Sequence, residues 1–66
     1  MTSRHHRRPR SRGGDSSRRN IVRVPADKHA AWHLLFVNLS PHEIAAQINA
    51  VWLDPDFYFT VQEVPR

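Results

Sequence analysis

No cysteine occurs among the 66 residues, which excludes disulfides, thiolate catalysis and cysteine-ligated zinc and suits a reducing compartment. No apolar run is longer than Leu34 to Val37, far short of the roughly 20 residues that a membrane-crossing helix needs. Nothing apolar lies between Thr2 and Asn20. A secretory signal is therefore not expected, because no apolar segment follows the positive start, and an organellar presequence helix would lack its apolar face. The only two glycines are adjacent, Gly13 and Gly14, so a glycine-rich phosphate loop is missing as well. No Ser/His/Asp set and no paired carboxylates beyond Asp54 and Asp56 stand at suggestive positions. Enzymatic activity is not expected.

What is present is unevenly divided. Residues 1–19 carry Arg4, Arg7, Arg8, Arg10, Arg12, Arg18 and Arg19 against the single acid Asp15, a balance of +6. Residues 20–66 carry three basic and five acidic residues, a balance of −2, and the two parts sum to the formal +4. The basic character thus belongs to the N-terminal stretch, while the remainder is a mildly acidic module with ordinary apolar content. Like-charge repulsion, Pro9, the glycine pair and the absence of apolar side chains after Met1 predict a disordered arginine-rich tail over 1–19, followed by one small domain over 20–66.

Within that domain the run "NIVRVP" predicts a strand over 21–24, with Ile21 and Arg23 on one face and Val22 and Val24 on the other, ended by Pro25. Residues 26–37 follow helical spacing, with Asp27 near the N-terminal dipole and Ala31, Leu34, Leu35 and the Trp32/Phe36 pair as the apolar surface. Asn38 is the residue expected to close this helix in the left-handed conformation. "SPHE" is a capping box: Ser40 at the N-cap, Pro41 at the first helical position and Glu43 at the third. The helix it starts has an apolar stripe of Ile44, Ile48, Val51 and Trp52 and should stop at "DPD", since the residue before Pro55 is driven from the α region. Alternation in "FYFTVQEV" predicts a last strand with Phe57, Phe59 and Val61 facing in. The expected fold class is α+β, a β-α-α-β module with an antiparallel helix pair on a two-stranded antiparallel sheet. Such a sheet has two open edges and the core is small, so pairing between copies or docking on a larger partner is expected.

His29 and His33 stand four apart on the first helix, the spacing at which two imidazoles can share one ion. The end of the second helix would bring Asp54 or Asp56 near as a third ligand, for zinc. "HAAWH" lacks the glutamate after its first histidine that a metalloprotease requires, so the hydrolytic version fails. The pair reads first as histidines coating a helix, and no cofactor is expected. His5 and His6 belong to the tail, and His42 reads as an exposed neutral ring near a helix start. Trp32 and Trp52 lie on or beside the apolar stripes and read as core residues rather than as base-stacking platforms.

His29, Trp32, His33, Leu35 and Phe36 form the pattern H-x-x-W-H-x-L-F, followed by N-x-S-P-x-E-I at Asn38, Ser40, Pro41, Glu43 and Ile44. Over about residues 28–54, but not the tail, this block resembles short stretches of small uncharacterised bacterial proteins. The resemblance implies a bacterial, cytoplasmic origin and brings no activity with it.

The tail carries the functional expectation. Guanidinium offers forked donors to phosphate, stacks on bases and keeps its charge at any physiological pH. Arg4, Arg7, Arg8, Arg10, Arg12, Arg18 and Arg19 are therefore the candidate nucleic-acid contacts, with RNA, specifically ribosomal RNA, favoured because no base-reading helix is present. The alternative is a protein-interaction module or small regulator, dimeric, toxin–antitoxin-like or phage-encoded, whose basic tail adds only nonspecific affinity. A solubility tail or an import signal would use the same residues, whereas a membrane-surface role lacks interleaved apolar anchors.

Overall fold

A computed structural model of the chain describes residues 1–65. The fold is α+β, a two-stranded antiparallel sheet with two helices. Strand β1 is Thr2–His6, β2 is Ile21–Pro25, helix α1 is Ala26–Phe36 and helix α2 is Pro41–Gln47. The strands pair in register from Thr2 opposite Pro25 to His6 opposite Ile21. The sheet predicted from the sequence is present, but its second strand comes from residues 2–6 and not from the C-terminal segment. The stretch 1–19 is accordingly not a disordered tail. Backbone pairing is indifferent to side-chain hydrophobicity, so β1 can form from residues that offer no apolar face. The same pairing covers one edge of β2, whose N–H and C=O groups would otherwise be unmet.

The connection between the strands is long but tied. Arg10–Arg12 make one 3-10 turn, closed by Gly13 at φ 85°. Gly14 passes so close to the Arg8 carbonyl that a Cβ there would collide with it. The knot of the loop is Asn20, a polar side chain only 9% accessible. Its Oδ1 accepts from the Arg8 N–H at 2.7 Å, and its Nδ2 donates to the carbonyls of Arg8 at 3.1 Å and Asp15 at 2.7 Å. One buried amide, fully used, thus does what a strand continuation would otherwise do.

Strand alternation puts Ser3 and His5 on the same face as their register partners Val24 and Val22, and Arg4 opposite Arg23 on the other face. Helix α1 starts where β2 ends, with the Ala26 N–H donating to the Met1 carbonyl at 3.0 Å. Its side chains that lose solvent are His29, Trp32 and Phe36, spaced by three and four, while Leu34 is 84% exposed and Ala31 and Leu35 are exposed as well. The helix is in the expected place, but its inward face is aromatic and imidazole-bearing rather than aliphatic. The turn after it is made by Val37, at φ 50°, and not by Asn38. Phe36, 7% accessible and packed on Trp32 with ring centroids 4.7 Å apart and planes tilted by 58°, is the one buried apolar residue among those described.

The capping box is present in full: the Glu43 N–H donates to Ser40 Oγ at 3.2 Å, and the Ser40 N–H donates to Glu43 Oε1 at 2.9 Å. Past Gln47 the helix widens into a π turn, Ile48–Trp52, and ends at Leu53, ahead of Pro55 as expected. Gln47 Nε2 donates to the Leu35 carbonyl at 3.0 Å, which ties α2 to the end of α1. No strand forms over 57–62. Phe57 and Phe59 are exposed rather than facing in, and the Phe59 backbone is held by the Asn49 amide, which donates to its carbonyl at 2.9 Å and accepts from its N–H at 2.8 Å. Trp52, expected in the core, is 61% exposed.

Asn20→Ala should strip three hydrogen bonds from the loop. Partners left unmet cost about 1–3 kcal/mol, which for a domain of this size lowers the melting temperature by roughly 5–20 °C. Calorimetry on the two proteins measures this, and a shift within about 2 °C would show that the amide does not hold the loop.

Candidate nucleic-acid interface and histidine cluster

Ser3 and His5 reach from β1 toward α1, where His29 and His33 stand one turn apart. One ring nitrogen of each of His5, His29 and His33 lies within 4.8 Å of the other two. Nε2 of His29 and Nε2 of His33 are 2.8 Å apart, the distance of a hydrogen bond in which one of them carries the shared proton. Ser3 Oγ lies 2.6 Å from His29 Nδ1 and orients that ring. The His5 ring stands edge-on to Trp32 at 5.8 Å and to His29 at 5.1 Å, and its Nδ1 is buried without a hydrogen-bond partner. All three histidines line a cavity of about 160 Å³ shared with Arg4, His6 and Arg10.

Burial holds the His5 imidazole below the ordinary histidine pKa, and His29, His33, His6 and Arg7 add to this by disfavouring another cation. Three imidazole nitrogens brought this close form a donor set suited to zinc-like ions. Sequence reasoning found the His29/His33 pair but placed His5 in a disordered tail. The available signal was the alternation Ser3-x-His5, which reads as one face of a strand only once β2 is given a partner. Asp54 and Asp56 do not join the cluster. Asp54 Oδ1 instead accepts from the Asp56 N–H at 2.9 Å and closes its own turn.

The seven candidate arginines are all exposed. Four of them, Arg7, Arg8, Arg10 and Arg12, and the pair Arg18 and Arg19 sit on the inter-strand loop, while Arg4 lies on the outer face of the sheet. Arg12 is committed: its Nη2 donates to Glu43 Oε1 at 2.7 Å and its Nε donates to the Asn38 carbonyl, which ties the loop to the start of α2. Glu43 is held below the usual carboxylate range chiefly by its hydrogen bonds with Ser40, and also by Arg12. The loop's own acid, Asp15, is engaged by the Ser17 N–H and O–H, which lower its pKa. Among the described residues no other guanidinium of the seven has a carboxylate partner. Arg4 faces Arg23 directly across the sheet, a like-charge pairing that costs stability unless an anion lies over it. No helix among the described residues is long and apolar enough to cross a membrane.

No protein-family model, no curated protein and no solved structure matches this chain.

Because His5 resists protonation in the folded chain, the unfolded chain binds a proton that the folded one refuses once the pH falls below about 6.5. The stability this group contributes is complete above that value and is lost on acidification. Chelator-treated protein should melt at a lower temperature near about pH 5.5 than near about pH 7.5, and the difference should shrink in His5→Gln. A melting temperature level across that range would show that His5 titrates alike in both states.

Proposed function

We propose that this chain is a small cytoplasmic RNA-binding protein, associated with the ribosome, that grips phosphates with the arginines of its N-terminal hairpin. The observation that carries the reading is that seven arginines stand exposed on β1 and its loop while Arg12 alone has a carboxylate partner among the described residues. Unpaired surface cations at this density repel one another, and a polyanion relieves that repulsion while releasing its own counterions. A tied loop also gives up less conformational entropy on binding than a free tail, so the hairpin is partly pre-organised for its partner. Phosphate contacts of this type hold and position but do not read sequence, in keeping with a structured RNA such as ribosomal RNA.

A second reading rests on a different observation. Leu34, Trp52, Phe57, Tyr58 and Phe59 are all exposed large apolar residues, and a domain with one buried apolar side chain among the described residues gains from covering them. A ribosomal or other protein, or a second copy of the chain, would do so. In that case the module is an interaction domain or a small dimeric regulator, and the arginines add only nonspecific affinity.

Removing residues 2–19 would not separate these readings, since it removes β1 and with it half of the sheet. Neutral substitution does. With five to seven arginines engaged, the affinity for a ribosomal RNA fragment should fall with salt at a log–log slope of roughly −3.5 to −6. Changing Arg8, Arg10, Arg18 and Arg19 together to Gln should flatten the slope by about three to four and release the protein from ribosomes in sedimentation. A folded quadruple variant that still sediments with ribosomes at moderate salt sinks the RNA reading and leaves the interaction module.

A further inference from the structure

We propose that His5, His29 and His33 form a three-histidine site for a divalent transition metal of the zinc class, and that the ion fastens strand β1 to helix α1. The proposal is independent of RNA binding.

The geometry is close to what such an ion requires. Tetrahedral zinc at about 2.0–2.1 Å from each nitrogen sets its donors about 3.3 Å apart. His29 and His33 offer Nε2 atoms 2.8 Å apart, and the nitrogens of the three rings fall within 4.8 Å of one another. Small rotations of the rings, moving the nitrogens on the order of 1 Å, would complete the set. The backbone need not move, because the i, i+4 spacing on α1 and the inward alternation of β1 already aim the side chains at one point.

Two further features are those of a built site rather than a chance meeting of rings. Ser3, two residues before His5 and so on the same face of β1, lies 2.6 Å from Nδ1 of His29. A ligand histidine held at its other nitrogen has its tautomer and ring orientation set, which leaves Nε2 free for the ion. In addition, His5 Nδ1 is buried with no hydrogen-bond partner, a cost that folding rarely leaves uncompensated. Three imidazoles without a carboxylate favour zinc, cobalt, nickel or copper over magnesium or calcium. Three protein donors leave a fourth position for water, and the rings line a cavity of about 160 Å³ that has room for one.

The site also meets a need of the fold. The chain has no disulfide, and among the described residues Phe36 is its only buried apolar side chain. Domains of this size commonly need a staple, and the free energy of binding a structural metal is free energy of folding. The ion would cross-link residues 5 and 29, far apart in sequence, at the junction of the two structural layers.

The test uses the full chain without a polyhistidine tag, stripped by chelator and titrated with Zn²⁺ or Co²⁺, with Mg²⁺ as control. Zn²⁺ should bind one to one in the micromolar range or tighter and, at about a hundredfold excess over Kd, raise the melting temperature by roughly 10–20 °C. Co²⁺ should give the intense visible bands of a four-coordinate site, and Mg²⁺ should change nothing. His5→Gln and His33→Gln should each weaken Zn²⁺ binding by about 100-fold or more, and Ser3→Ala by about 10-fold, while His42→Gln leaves it unchanged. His33 is exposed, so His33→Gln keeps the fold and stays informative if His5→Gln does not fold. Absence of one-to-one Zn²⁺ binding below about 100 µM, or a folded His33→Gln variant that binds Zn²⁺ as tightly as the parent, overturns the proposal.

Discussion

Everything in this fold depends on the antiparallel pairing of Thr2–His6 with Ile21–Pro25. The pairing makes Thr2–His6, a stretch with no apolar side chain, into half of a sheet. It carries His5 and Ser3 to the face where α1 lies and leaves Arg4 on the opposite face. It also delivers the Met1 carbonyl to the first N–H of α1. Without it the chain would be a free cationic tail beside a helix pair, with no reason for its histidines to meet.

What holds that pairing is polar more than apolar. Asn20, buried and with every amide position used, closes the loop, and Arg12 bridges it to Glu43 and Asn38. Glu43 serves two ends at once, capping α2 through Ser40 and receiving Arg12. An exposed ion pair contributes at most about 1 kcal/mol, so the contribution of Arg12 is mainly one of position. The apolar core, one Phe36/Trp32 contact, is small beside the roughly 60% burial usual for domains near this length, and much apolar surface stays open on the C-terminal half.

The two candidate activities draw on neighbouring parts of the hairpin. The outer face and the loop present guanidinium groups to solvent, and the inner face presents Ser3 and His5 to the histidines of α1. An ion at the inner face would stiffen the strand that leads into the arginine loop. The histidine cluster and the cationic surface also meet directly, since Arg4 and Arg10 line the same cavity as the three histidines.

Signals that act within a few residues of chain were legible in the sequence. The capping box at Ser40–Glu43, the strand at 21–24 with its two faces, the first helix over nearly its full length and the stop before Pro55 all follow from local geometry and local hydrogen bonds. The α+β class followed from those elements, whereas the two-stranded antiparallel sheet was expected with Phe57–Val61 as its second strand. The choice of partners was settled only in three dimensions. Hydrophobic alternation favoured Phe57–Val61 as the second strand, but a strand is completed by backbone N–H and C=O groups that every residue carries, and the arginine-rich stretch supplied them instead. Once it did, the face of α1 turned inward was the one bearing His29, Trp32 and Phe36, and the third histidine came from a segment 24 residues earlier than the first of the pair. Sequence spacing can place two imidazoles on one helix; only long-range pairing can bring a third to meet them.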